Sequence, residues 1–398
     1  MTDAWAQFVR AADGRDVAGY FELASRAGSG RGRAVWYTAA DEVRPISRSI
    51  RVREEASRMA RFLAGGPGRA AVGFLGFDAV GLFEPQLARF PSGDPFPLGM
   101  FAYVRNPHRA RVTRRAPPAT PPPLRDLRPL SDSLPRSQYG RGVRRLVEAI
   151  RDGQAYQVVL AHRRAWHRPE DLIAGAARLR AAERFSFFYF LRFGDVEIVG
   201  ATPESVVEVD GDRAFLNPIA GTLPRGRETA GRAPLGVDPK ELSEHRMLVD
   251  LARNDLGSVA RAGSVRLLST ERLERYARLD HLVTRVGARL RPGQGPWNVL
   301  GAAFPAGTVC GAPKIRATQL LRQEENSWRG PYAGTVGLLE RGGRAAWALA
   351  IRSAFAVRHR LYTAAGAGIV HRSEPEREFD ETLAKLAQVE ASLLEDGP

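Results

Sequence analysis

Cysteine is almost absent from the 398 residues: the single Cys310 excludes a disulfide framework and any zinc site built on several thiolates. A lone thiol suits a reducing interior, so the expected compartment is the cytoplasm. No run approaches the roughly 20 apolar residues that span a bilayer, and Met1–Arg10 has neither a basic nor an apolar leader segment. Secretion and membrane insertion are disfavoured. Lysine is nearly as scarce as cysteine, with Lys240, Lys314 and Lys385 the only three among 59 basic side chains. Ammonium and guanidinium differ in shape and hydration, so a lysine kept against such a bias stands where a compact charge is required.

What is present suffices for a folded core: 44% of the residues are hydrophobic and 26% charged, which rules out disorder and collagen-like order. The formal charge of +15 fits nucleic-acid binding and fits the steering of a small anionic substrate equally well. The arginines are scattered, and no zinc-finger, RNP or basic-helix pattern occurs. A basic nucleic-acid-binding protein therefore stays a distant alternative. Neither a GxGxxG nor a Walker loop is found, which disfavours a doubly wound nucleotide fold.

Residues 1–108 mix helical pieces with apolar runs such as Ala71–Leu75. Residues 109–136 form a proline-rich linker, in which Ala116–Pro123 can build neither helix nor central strand. After it, Val143, Leu146, Val147 and Ile150 follow helical spacing, and Gly153 stands where a C-cap belongs. A strand over Ala155–Ala161 would point Gln157 opposite to Tyr156 and Val158. Val206–Val209 and Arg213–Leu216 flank an Asp-Gly turn and read as a hairpin.

Asp238-Pro239-Lys240-Glu241 opens a helix that runs to about Asn254, with Glu241, Glu244, His245 and Leu248 along one face. Ser373 and Glu376 can cap a second helix, whose Glu378, Glu381 and Lys385 share a face while Phe379, Leu383 and Leu386 lie on another. Should the two acidic faces meet, they make an all-oxygen site of the kind that Mg²⁺ takes. Solvated acidic faces, capping by Glu241 and pairing of Glu381 with Lys385 are the plainer readings of each helix alone. Because capping already accounts for Glu241, Glu244 ranks above it as a metal ligand and is paired with Glu381, one turn from Lys385, with Glu241 and Glu378 as second choices. The stretches Phe304–Lys314, Gly366-Ala367-Gly368 and Pro218–Thr222 are rich in small residues whose N–H groups can approach an anion.

Taken together, Ala155–Leu160, Ala201–Ser205, Pro218–Thr222, Glu241–Asp255, Phe304–Lys314 and Ala365–Ile369 resemble, in order and spacing, the chorismate-binding enzymes over residues 137–392. Gly73–Val80 and Phe83-Glu84 resemble the N-terminal part of anthranilate synthase component I. The resemblance implies an α+β fold of two near-orthogonal β-sheets with surrounding helices, and it implies chorismate and Mg²⁺. It assigns Glu244 and Glu381 to the metal, Arg352 and Tyr332 to the enolpyruvyl carboxylate, and backbone donation to Gly366, Ala367 and Gly368. Gly221, Thr222 and Thr308 would line the pocket, with Lys385 near the metal face. Glu204 matches the general acid that protonates the departing C4 hydroxyl, and His281 the residue tied to the later loss of pyruvate.

Two positions discriminate within the family. Members that add water at C2 place a lysine base where this chain has Gln157, which cannot take a proton from water. Typical bacterial aminodeoxychorismate synthases carry a nucleophilic lysine where this chain has Ala220. Direct addition of ammonia, the anthranilate route, is what remains, and the family draws that ammonia from a glutamine amidotransferase subunit in a hetero-oligomer. Aminodeoxychorismate or aminodeoxyisochorismate synthase component I is the alternative. Cys310 is read as a small buried residue, and no glutaminase is encoded here. Glu183–Phe188 occupies the place of the family's Asn-Pro-x-x-Tyr-Met tryptophan-feedback segment, so tryptophan inhibition is not written in these residues.

Overall fold

The computed structural model describes residues 3–24, 31–49, 52–88, 91–113, 129–170, 172–182, 185–224, 239–275 and 279–394. The first elements are α1 (Ala4–Ala12), β1 (Val17–Ala24), β2 (Arg31–Tyr37), β3 (Glu42–Ile46) and α2 (Val52–Ala64), then β4 (Ala70–Leu75), β5 (Gly99–Val104) and β6 (His108–Thr113). Next come β7 (Ser131–Asp132), α3 (Arg136–Arg151), β8 (Gln157–His167), α4 (Leu172–Ala182), β9 (Phe187–Phe193), β10 (Val196–Thr202), β11 (Ser205–Asp210), β12 (Arg213–Leu216) and β13 (Ile219–Pro224). They are followed by α5 (Pro239–Gly257), β14 (Arg266–Arg275), β15 (Leu279–Arg289), α6 (Pro296–Ala303), α7 (Gly307–Cys310), β16 (Gly311–Ala312) and α8 (Lys314–Glu325). The last are β17 (Thr335–Glu340), β18 (Arg344–Leu349), β19 (Ser353–Val357), β20 (Arg360–Ile369) and α9 (Pro375–Leu393).

The fold is α+β, built on two large antiparallel sheets. One has the order β16-β8-β20-β19-β10-β9-β1-β2-β6, with β7 also on β8. The other has the order β13-β15-β12-β11-β18-β17-β4-β5-β3, with β14 on the far side of β15. Strands before residue 114 extend both sheets. The Ala116–Pro123 stretch lies outside the described residues. Alternation along the first sheet serves two cores: Phe21, Tyr189 and Leu191 join Phe74 and Leu338 of the second sheet, while Tyr20, Phe188 and Phe190 face α1 with Trp5 and Phe8. Phe185 and Phe187, in the segment that departs from the family's feedback motif, are buried as well.

Local signals explain several elements. Helix α3 buries Val143, Leu146, Val147 and Ile150, and Gly153 follows it at φ +75°. The β11–β12 hairpin turns through Gly211 at φ +62°. Strand β8 continues past the expected Ala161 to His167, because β20 pairs with it over the whole length from Val158 to His167. Asp238, the expected cap of α5, lies outside the described residues. The expected Ser373 cap of α9 needs correction: Pro375 takes the first helical position, Glu374 becomes the N-cap, and the Ser373 hydroxyl instead accepts from the Val370 N–H at 3.0 Å. Among the described residues no helix is long and apolar enough to cross a membrane.

The chain passes between the sheets at two points that matter below. It leaves β10 for β11 through Pro203-Glu204, and it leaves β18 for β19 through Ala350-Ile351-Arg352. The crossings are tied together, since the Leu349 N–H donates to the Glu204 carbonyl at 3.0 Å and the Ala201 N–H to the Arg352 carbonyl at 3.3 Å.

Candidate active site

Glu204 is held in its crossing by a Thr-Pro-Glu turn, where its N–H donates to the Thr202 hydroxyl at 3.3 Å. Its side chain is buried, and its Oε1 accepts the Thr308 hydroxyl at 2.6 Å. Burial pushes the carboxyl up to about 7, against the opposing pull of the Thr308 bond and the Arg352 charge. A carboxyl so placed is part protonated near neutrality and can give up a proton. Arg352 itself sits at φ +50°, a conformation that costs a non-glycine residue energy and is kept where the surroundings impose it. Beside Glu204 lies a cavity walled by Asn217, Leu248, Leu251, Asp255 and Gly307.

Thr308 owes its position to two glycines. A Cβ on Gly307 would lie 2.2 Å from Leu251 Cδ2, so the α7 turn can seat itself directly on α5. Gly311, at φ +113°, comes so close to β8 that a Cβ would fall 2.1 Å from the Gln157 carbonyl oxygen. Buried between them, the Cys310 thiol is pushed up to about 11 by desolvation. That suits a packed residue and not a nucleophile.

A second wall is made by β8 and β20. Gly368 lies under Gln157, whose Nε2 is 2.3 Å from where a Cβ would stand. The Gly366 N–H donates to the buried Tyr332 hydroxyl, and burial pushes that phenol up to about 12. The Gly366 carbonyl accepts from Lys385 Nζ at 2.9 Å, and the same ammonium meets Glu381 Oε1 at 2.7 Å. Tyr332, Gly366, Lys385 and Glu381 therefore form one connected series, and Gln157 with Gly368 another. Ala367 is buried between the two glycines.

The third group is on the second sheet. His281 is buried on β15, with Thr222 of β13 and Glu274 of β14 opposite it, and Gly221 sits at an irregularity in the β13–β15 register. Helix α5 is fastened to this sheet by His245, whose Nε2 lies 2.7 Å from the Thr284 hydroxyl. Side chains of Ala220, Gly221, Thr222, Lys240, Glu241 and Glu244 lie outside the described residues. The convergence of Glu244 with Glu381 is thus not among the contacts described.

Glu378 and Glu381, one turn apart at the start of α9, are hard oxygen donors of the kind that suits Mg²⁺, and the Glu381 side chain is 52% exposed and open to a cation. Among the described residues no group of three or more His, Cys, Asp or Glu could hold a metal. The α9 pair fits one half of a donor set.

The motif reading gave no role to several residues at this cavity. Asn217 and Asp255 line the cavity beside Glu204, and Asp255 pairs with Lys314 Nζ at 3.0 Å, which also donates to the Ala302 carbonyl. Lys314 was marked by the rarity of lysine and by closing the Phe304–Lys314 motif, without a partner being assigned to it.

Two antiparallel sheets, joined by crossings that carry the buried Glu204 carboxyl and the strained Arg352, frame the candidate site. A family model described as chorismate binding enzyme matches residues 20–391, and the chain belongs to that family. It is 41% identical over 291 residues to anthranilate synthase component 1 2 of Haloarcula marismortui, covering 68% of this chain and 54% of that protein. It is 40% identical over 267 residues to anthranilate synthase component 1 of Aquifex aeolicus, covering 65% and 53%. The chain thus matches about half the length of these relatives. Against the corresponding protein of Saccharolobus solfataricus it is 33% identical over 81% of this chain and 80% of the other. Among solved structures, anthranilate synthase component I from Streptococcus pneumoniae superposes with a TM-score of 0.73 at 28% identity, covering 93% of this chain and 89% of that one. A putative isochorismate synthase from Bacillus anthracis shares the fold, with a TM-score of 0.77 at 21% identity and coverage of 98% and 99%.

Proposed function

We propose that this chain is the chorismate-converting component of an anthranilate synthase, turning chorismate and ammonia into anthranilate, pyruvate and water. The observation that carries this reading is the Glu204 carboxyl, buried, bonded to Thr308 and raised to about 7 beside Arg352. A hydroxyl leaves as water only when a proton reaches it, and a half-protonated acid is suited to give that proton near neutral pH. Arg352 offers a planar fork to the enolpyruvyl carboxylate, and Tyr332, bonded to the Gly366 N–H, is assigned to the same group. Gly366, Ala367 and Gly368 supply the close backbone approach, with Gly221, Thr222 and Thr308 along the rest of the pocket.

Gln157 and Ala220 decide the nucleophile. Neither can act as a base on water or as a covalent amine, so free ammonia attacks C2 as the C4 hydroxyl departs. Loss of the C2 proton and of pyruvate then makes the ring aromatic, and His281 is the group we assign to that stage. Glu244 and Glu381, with Glu241 and Glu378 behind them, would hold Mg²⁺, which when bound supplies positive charge at the ring carboxylate. Ammonia is mostly ammonium at neutral pH, so a glutamine amidotransferase partner supplies it.

The test is direct. Purified chain is given chorismate, Mg²⁺ and an ammonium salt at alkaline pH, and anthranilate fluorescence is followed with mass analysis of the product. Folded, metal-loaded protein that yields no anthranilate overturns the reading, and a product that retains pyruvate replaces it with an aminodeoxy-forming activity.

A further inference from the structure

We propose that the buried Arg329–Glu325 ion pair is a positioning device for the reaction, holding Thr308, and through it Glu204, at a fixed distance from the wall formed by β8 and β20. The proposal rests on the reading above, in which Glu204 is the acid. The two side chains are only 3% and 5% exposed. Arg329 grips Glu325 with two prongs, Nε to Oε2 at 2.9 Å and Nη2 to Oε1 at 2.5 Å. Its other bonds reach outward: Nη1 donates to the Val309 carbonyl at 2.7 Å, and Nη2 to the Val159 carbonyl at 2.8 Å. Glu325 Oε1 in turn accepts the Ala161 N–H at 2.9 Å. The guanidinium lies 4.5 Å from the centre of the Phe77 ring.

These bonds join two walls of the site. Val309 directly follows Thr308. Val159 and Ala161 stand opposite Gly368 and Gly366 in the β8–β20 ladder. On the outer edge of β8, β16 pairs with Gln157 and Val158, and β7 pairs with Arg164 and Ala165. Among the described residues no strand covers the gap between them, and the ion pair meets the buried outward-facing backbone of Val159 and Ala161 in the role of a missing strand. The same guanidinium then fastens that edge to the loop carrying Thr308.

Stability alone does not account for such a pair. Taking two charges out of water costs about as much as their attraction returns, and well-packed apolar replacements are often neutral or better. A planar five-donor fork does supply direction, and lysine cannot reproduce it. Glu204 responds to whatever Thr308 does, because the Thr308 bond and the Arg352 charge oppose the effect of burial, with Asp255 on the same cavity.

The experiment compares Arg329→Lys and Glu325→Gln with the unaltered chain and with Thr308→Val, checking fold by circular dichroism and thermal midpoint. We expect folded variants whose kcat falls between about ten- and a hundredfold, as for a misplaced catalytic group, with KM for chorismate changed far less. The alkaline limb of the kcat profile should move to higher pH, since a loosened Thr308 no longer counters burial. Either variant added to Thr308→Val should then change little more. A second readout needs no turnover: the protonated-carboxyl infrared band that Glu204→Gln abolishes should persist to higher pH in Arg329→Lys. Folded variants with an unmoved limb and band, or effects fully additive with Thr308→Val, overturn the proposal. So does failure of both variants to fold, which would make the pair a stability element only. If the unaltered chain makes no anthranilate while the infrared shift is present, the functional reading fails and the positioning role stands.

Discussion

Glu204 and Glu381 are both carboxyl groups of one candidate site, yet they live in opposite surroundings. The first is 8% exposed with a single hydroxyl donor on one oxygen, while the second has a side chain 52% exposed on the first turns of α9 and faces an ammonium. Burial penalises charge, so the Glu204 carboxyl is raised to about 7 and is suited to act as an acid. Glu381 is open to solvent beside Lys385, so its oxygens are suited to hold a cation. The same functional group acquires two trades from its surroundings alone.

The comparison breaks most visibly at Glu204. Glu204→Gln should lower kcat by about a hundred- to ten-thousandfold, the usual range for a general acid, measured by anthranilate fluorescence. It should also stabilise the fold at alkaline pH. A carboxyl raised in the native state binds its proton more tightly folded than unfolded, so its contribution is present below the unfolded value and lost as pH rises through about 7. Thermal midpoints at pH 8 and pH 5 should therefore differ less in the variant, by the equivalent of up to about 3 kcal/mol.

The lysines extend the contrast. Lys314 pairs with Asp255 where both side chains are about nine-tenths buried, and burial already raises the Asp255 carboxyl. Lys314→Met strands that carboxylate and should destabilise the chain by about 3–5 kcal/mol in urea unfolding. Glu381→Gln should leave unfolding nearly unchanged and raise the Mg²⁺ concentration needed for half-maximal activity by on the order of tenfold. The smallest effect falls on stability at Lys385: its pair with Glu381 is half exposed, so Lys385→Met should shift unfolding by less than about 1 kcal/mol. A loss of several kcal/mol there would erase the distinction between the two pairs.

Elements with a strong local period were legible before any coordinates. Helix α3, the β11–β12 hairpin and helices α5 and α9 each carry their own spacing or turn residue. Strand β4 does not, since all six of its residues are buried and no alternation marks it. Nor does any local signal say that β3, β4 and β5 join one sheet while β1, β2 and β6 join the other. The α9 start was misplaced because Ser373 looks like a cap until Pro375 is given the first helical turn. Site residues divided the same way: Lys314 stood out by rarity, whereas Arg329 was hidden among many arginines and only the fold reveals what its fork spans.

Glu204 and Arg352 each occupy a doorway through which the chain steps from one sheet to the other. Their spacing is therefore a gauge of how the two sheets lie. A slip of one sheet by the rise of a single residue, about 3.3 Å, would part the acid from the arginine even if every strand kept its neighbours. Turnover in such an enzyme would vanish before its secondary structure did.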